Sequence, residues 1–227
     1  MKLAIVIPVY NEGKVIKSVI DSLPKKLNGI DKIIVLAVND NSTDNSANEI
    51  AKTNAILVNH PVNLGAGATT VTGLEAAKKI GADLAVTIDG DGQHNSSDIG
   101  KLIKPITTGR ADLVIGTRLK QAKGMPIIKQ VGNWGLNIVT YAMSRMWTTD
   151  SQSGFKCFSK KAMDMMDIQS LGYEFCSEII IEAKQKKLRI VEVPTKAIYS
   201  SYSKKKGQSV FNGMNIVVKL LVKKIIG

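Results

Sequence analysis

A chain of 227 residues, 44% of them hydrophobic, has room for one large domain with a sizeable core. Its two cysteines, Cys157 and Cys176, make neither a metal-type pair nor a disulfide framework, so a reducing cytosol is the expected compartment. The net charge of +12 favours anionic partners; aromatics are only 5% and no stacking motif is interleaved with the lysines, which sets a membrane surface or lipid phosphate ahead of nucleic acid.

Leu3 to Val9 reads as a buried strand; its apolar run is too short for an export signal and ends at Pro8 and Asn11-Glu12. Lys14 to Leu27 follows with helical spacing of Val15, Val19, Ile20 and Leu23. Lys32 to Val38 is a second β-branched run, closed by Asn39-Asp40-Asn41-Ser42-Thr43-Asp44, which supplies turn chemistry and a cap for a helix through Ile50. Ala55 to Val58 is a third strand, Gly67 to Ile80 a helix, Asp83 to Asp89 a fourth strand, Asp98 to Thr108 a helix and Ala111 to Gly116 a fifth strand. This alternation predicts an α/β fold with a mostly parallel sheet flanked by helices. Beyond it, Gln121 to Gly132 reads as a mobile loop, Trp134 to Met146 and Glu174 to Lys186 as helices, and Arg189 to Val193 as a strand. The tail from Val210 onward is an amphipathic helix, equally suited to a membrane interface or to packing on the core. No run is apolar and long enough to span a bilayer.

The fourth strand ends in Asp89-Gly90-Asp91-Gly92-Gln93-His94. If the backbone stays extended through Gly90, Asp89 and Asp91 project to one side, because strand side chains alternate. Two like charges at that spacing call for a hard cation such as Mg²⁺ or Mn²⁺, shared with substrate phosphate, with Gln93 adding a neutral oxygen. His94 is a poorer match to a hard cation and is expected to be structural or to touch substrate; His60, before Pro61, reads as loop. In parallel sheets ligands bind beyond the carboxyl ends of the strands. Tyr10-Asn11-Glu12, Asp40, Asp89-Gly90-Asp91 and Thr117-Arg118 each follow a predicted strand and would converge on one rim, as a nucleotide-diphosphate site requires. Arg118 would offer a planar fork to phosphate oxygens. Asn63-Leu64-Gly65-Ala66-Gly67 lacks the glycine spacing of a dinucleotide fingerprint and the Gly-Lys-Ser/Thr of a Walker loop, although a helix starting near Gly67 could still face an anion. Asp150 is a candidate general base, or a loop carboxylate.

Several segments together carry a resemblance: Ile7-Pro8-Val9-Tyr10-Asn11-Glu12, Asp40-Asn41-Ser42-Thr43-Asp44, Asn63 to Gly67, Asp89 to His94, Gly116-Thr117-Arg118, Ser153-Gly154-Phe155-Lys156 and Glu192-Val193-Pro194. In order and spacing the chain resembles glycosyltransferase family 2, in the branch of dolichyl-phosphate mannosyltransferases and polyprenyl-phosphate glycosyltransferases. The resemblance implies a GT-A nucleotide-binding domain occupying residues 1–227, with a donor half (1–120) and an acceptor half (121–227). It implies that Pro8, Tyr10 and Glu12 line the base and ribose pocket, that Asp40 contacts the base, and that Val38 helps shape that pocket. Asp89 and Asp91, with Gly90 between them and Gln93 beyond, would hold Mg²⁺ or Mn²⁺ on the donor diphosphate. Arg118 would contact phosphate, and Lys204 would add positive charge near the acceptor. The family's two consecutive acids after the second strand are here Asn39 and Asp40, and its C-terminal basic motif is altered to Lys204 and Gly207-Gln208-Ser209-Val210.

The expected reaction is inverting transfer of a hexose from GDP-mannose, UDP-glucose or UDP-N-acetylglucosamine to a dolichyl or polyprenyl phosphate. That acceptor is already anionic, so Asp91, Arg118 and Asp150 would act by charge neutralisation and orientation. The expected setting is peripheral, at the cytoplasmic face of a membrane, directly or through an embedded partner. Alternatives are transfer to a protein or glycan hydroxyl, a nucleotidyltransferase, whose glycine-rich basic signature is missing after the first strand, and a basic non-catalytic module that binds polyanions or membranes.

Overall fold

The computed structural model describes residues 1–118 and 127–198, with residues 127–130 described by backbone alone. Seven strands form one sheet in the order β3-β2-β1-β4-β6-β5-β7. They are β1 (Lys2–Val9), β2 (Lys32–Asn39), β3 (Ile56–Asn59), β4 (Leu84–Thr87), β5 (Leu113–Thr117), β6 (Lys156–Ser159) and β7 (Ile190–Pro194). All neighbours run parallel except β6, which lies antiparallel between β4 and β5.

The helices are α1 (Ile16–Asp21), α2 (Ser46–Ala51), α3 (Ala66–Lys79), α4 (Ile99–Thr107), α5 (Ile127–Ser144), α6 (Lys160–Met165) and α7 (Phe175–Gln185). The period-two alternation of β1 divides the core between the two faces of the sheet. Leu3, Ile5 and Ile7 pack with Ile16, Ile20, Ile99 and Ile103 of α1 and α4; Ala4 and Val6 pack with Leu74 and Ala77 of α3 and Ile179 of α7. A strand buried on both faces must be apolar throughout, which is why β1 and β4 are unbroken hydrophobic runs.

Four local expectations are corrected. Helix α1 stops at Asp21 rather than Leu27. Pro24 has no N–H with which to continue it. Strand β4 stops at Thr87, the chain turns at Gly90 and Asp91, and Gly92 takes a φ of +74°, so the two aspartates do not share an extended strand. Helix α5 begins at Ile127, within the segment read as a loop; Gln121 to Pro126 lie outside the described residues. Strand β6 and helix α6 were not foreseen. Four residues of mixed polarity carry no strand signal by themselves, and β6 exists because β4 and β5 flank it. Lys204 and the tail helix expected from Val210 also lie outside the described residues.

Candidate active site

The loops after β1 and β2 are sewn together. Asn11, at φ +55°, accepts from the Thr43 and Asp44 amides at 2.8 and 3.3 Å and donates its own N–H to Ser42 Oγ at 3.0 Å. The Glu12 N–H donates to Ser46 Oγ at 2.8 Å and the Gly13 N–H to Asp44 Oδ2 at 3.0 Å. This leaves Tyr10 exposed on the rim, Pro8 half-buried at the strand end and Glu12 buried beneath.

Two residues expected in the donor pocket are turned into the frame. The Asp40 carboxylate takes the His60 Nδ1 hydrogen at 2.7 Å and the Leu64 and Gly65 amides at 2.9 and 2.8 Å, and the residue is only 2% exposed. His60 spans onward to Thr72 Oγ1 at 2.9 Å, so it is a buried brace rather than a loop residue. With both oxygens engaged, Asp40 holds the 60–65 turn instead of reaching outward to a base. Val38 is fully buried, its methyl 3.3 Å from where a Cβ on Gly73 of α3 would stand, so it is core rather than pocket wall. The start of α3 is not an open anion site either: Gly67 and Ala68 N–H groups donate to Leu171 O at 2.7 and 3.3 Å.

Asp89 and Asp91 do come together, through the turn. Gly90 makes this possible, since a Cβ there would stand 3.1 Å from Pro8 O. His94 is buried and meets Asp89 Oδ2 through Nε2 at 3.0 Å, while its ring lies 4.9 Å from that of Phe155; it positions the aspartate. The Asp89 side chain remains 41% exposed, open to a ligand. Burial would raise the Asp89 carboxyl, but His94, Arg118 and Lys156 hold it below the ordinary range. Asp91 goes the other way: burial and the Asp89 charge push it up to about 6, although the Gln93 N–H donates to its Oδ1 at 2.9 Å.

Arg118, at the end of β5, is forked onto Asp150. Its Nε and Nη2 donate to the two carboxylate oxygens at 2.8 and 3.0 Å, and its backbone N–H adds a third bond at 3.0 Å. Asp150 is fully buried; burial would raise its carboxyl, yet Arg118 outweighs that and holds it low. Both oxygens of this carboxylate are committed to Arg118.

Two residues near the aspartates carried no expectation. Lys156 of β6 is 1% exposed, donates from Nζ to Ser153 O, and lowers the carboxyls of both Asp89 and Asp150. It stands in the Ser153–Lys156 motif, but only the reversed strand shows that it is internal. Tyr173 lies in the loop before α7; partial burial and the charges of Asp89, Asp91 and Glu12 push its phenol up. No motif marked it.

Among the described residues no group of three or more His, Cys, Asp or Glu could form a closed metal cage. Asp89 and Asp91 instead make an open pair of carboxylates, whose oxygen chemistry fits a hard divalent cation completed by water and phosphate. A parallel sheet with one reversed strand, an aspartate pair at the end of β4 and a clamped arginine at the end of β5 define a GT-A glycosyltransferase. The chain belongs to glycosyl transferase family 2, whose model matches residues 4–168. It is 40% identical to the UDP-N-acetylglucosamine–dolichyl-phosphate N-acetylglucosaminyltransferase of Methanococcus voltae, over 97% of this chain and 95% of that protein. It is 27% identical to the dolichol-phosphate mannosyltransferase of Pyrococcus furiosus, over 97% of this chain and 64% of that protein. Among solved structures it is similar to the glucosyl-3-phosphoglycerate synthase of Mycobacterium tuberculosis in complex with Mn²⁺, UDP-glucose and phosphoglyceric acid. The TM-score is 0.72 at 20% identity, covering 97% of this chain and 77% of that one, a likeness of fold.

Proposed function

We propose that the protein transfers one sugar, with inversion, from a nucleotide-sugar to a dolichyl or polyprenyl phosphate at the cytoplasmic face of a membrane. The observation that carries this is the Arg118–Asp150 fork. Transfer to a hydroxyl needs a base to take its proton, and Asp150 is held ionised and fully engaged. A phosphate monoester acceptor is already a nucleophile and needs orientation and charge instead. The strong similarity to a protein named for UDP-N-acetylglucosamine and dolichyl phosphate supports the same substrate classes and makes UDP-N-acetylglucosamine the first donor to test.

In this reading Pro8, Tyr10 and Glu12 bind the donor's base and ribose, while Asp40 and Val38 support that pocket from behind. Asp89, Gly90 and Asp91, with Gln93, receive the diphosphate and its Mn²⁺ or Mg²⁺; when bound, such an ion neutralises charge on the departing nucleoside diphosphate. Arg118, fixed by Asp150, offers a permanent positive charge beside Asp89 for phosphate oxygens. Residues 1–120 form the donor half and 121–227 the acceptor half, with Lys204 contributing charge to the latter.

The test is transfer by the full chain from radiolabelled UDP-N-acetylglucosamine, UDP-glucose and GDP-mannose to a polyprenyl phosphate, with Mn²⁺, Mg²⁺ or EDTA. Label enters the lipid phase with one donor, is lost in EDTA, and falls by about 100-fold or more in Asp91→Asn, the scale of losing transition-state charge stabilisation. Donor hydrolysis without lipid product, or label on a sugar hydroxyl, would overturn the reading.

A further inference from the structure

Helix α5 is apolar on both sides. Inward it buries Leu136, with Val139 and Met143 packed beside it, together with the polar Asn137, Thr140 and Ser144. Asn137 donates to Thr149 O at 2.9 Å and accepts from the Ser151 N–H at 2.9 Å; Thr140 bonds Ser177 Oγ at 2.9 Å. Its outward residues Val131, Trp134, Ile138 and Tyr141 are 62, 59, 39 and 42% exposed. At helical spacing they fall on one stripe. Trp147, just past the helix, is also exposed and meets Tyr141 edge-on at 5.9 Å. A surface helix of a globular protein normally turns polar residues outward. The inward polar groups are all hydrogen-bonded, so the helix is properly seated and its outer face is the anomaly.

We propose that this stripe seats the protein on an anionic lipid bilayer, with Trp134, Tyr141 and Trp147 at the headgroup boundary; the inference rests on the lipid-phosphate reading of the acceptor. Tryptophan and tyrosine favour that boundary, where an apolar ring and a polar edge are both satisfied. The charge matches too: the chain carries a net charge of +12, and the exposed Arg145 directly follows the helix. The placement is productive: the helix lies between Arg118 and Asp150 in the chain, and Asn137 ties it to Thr149 and Ser151 on either side of Asp150.

Trp134 and Trp147 are the only tryptophans in the chain, so intrinsic fluorescence reports on this face alone. The full chain is mixed with phosphatidylcholine vesicles with and without phosphatidylglycerol. Emission shifts to the blue and is quenched by brominated lipid, more strongly on the anionic vesicles. Ile138→Glu keeps both tryptophans and lowers vesicle binding by about tenfold or more, the scale of failing to bury one large aliphatic side chain. The same variant leaves transfer to a water-soluble, short-chain polyprenyl phosphate without vesicles unchanged. Three results would overturn the proposal: vesicle binding with neither quenching nor sensitivity to Ile138→Glu; no vesicle binding; and emission already blue in buffer and indifferent to lipid, which means another part of the chain or a second copy covers the stripe. If vesicles quench the tryptophans but no polyprenyl phosphate is glycosylated, the surface stands and the acceptor reading fails.

Discussion

A methyl group added at Gly154 would stand 2.2 Å from an Asp89 carboxylate oxygen. The side chain of Asp89 is therefore laid against bare backbone, and Gly154→Ala must push it aside. Mn²⁺ binding, read by electron paramagnetic resonance, is expected to weaken by about tenfold or more with little change in thermal midpoint, since Asp89 is a partly exposed side chain rather than core. Asp150→Asn addresses the opposite corner. It replaces one carboxylate oxygen with an N–H facing the Arg118 guanidinium, and breaking a buried ion pair from one side costs about 3–5 kcal/mol, to be measured by urea unfolding. Turnover falls by about 10- to 100-fold as Arg118 loses its orientation. The pH profile of kcat keeps its shape; loss of the acidic limb would instead mark Asp150 as a base. Asp89, Asp91 and Arg118 could be read from the sequence because each follows an apolar strand. Asp40 also follows one, yet its carboxylate is spent on His60 and two amides. Position at a strand end is a local property, whereas the direction a side chain takes depends on partners 20 or more residues away.

Among the elements, α3 shows how closely the layers approach. A Cβ on Gly73 would stand 2.1 Å from a Val6 methyl of β1. Gly73→Ala is expected to cost about 1–3 kcal/mol by overpacking, despite the better helix propensity of alanine, and differential unfolding of the two proteins checks it. Strands β1, β2, β4 and β5 were legible because burial on both faces demands continuous apolar residues. Strand β6 was not, since Lys156 and Ser159 bound only Cys157 and Phe158, and its ladder is supplied by β4 and β5. Helix α5 was half legible: its apolar residues surround the axis, and no periodicity says which of them face outward.

For the whole molecule, the sheet crosses both halves of the sequence, with β6 inserted in the middle and β7 on the edge. The beginning of β7 is clamped to that of β5 by Arg189, whose Nε and Nη2 donate to the two Asp112 oxygens at 2.9 Å each. Those hydrogen bonds lower the Asp112 carboxyl to about 2. Its folded-state pKa lies below the unfolded one, so its contribution to stability is present above about pH 4 and is lost as pH falls toward 2. Protonating the other carboxylates adds to the positive charge already carried and increases self-repulsion. The thermal midpoint should therefore drop steeply between about pH 4 and pH 2, and Asp112→Asn should start lower at neutral pH and drop less across that window. From the sequence alone came the α/β alternation, the strand ends that carry the site and the family, because apolar runs and short motifs are written in neighbouring residues. Only the tertiary structure decided that β6 runs backward, that Asp150 is Arg118's partner across 32 residues, that Lys156 is buried beside both carboxylates, and that α5 turns its aromatic side to solvent. Each of those depends on which distant segments share a neighbourhood, and packing makes that choice.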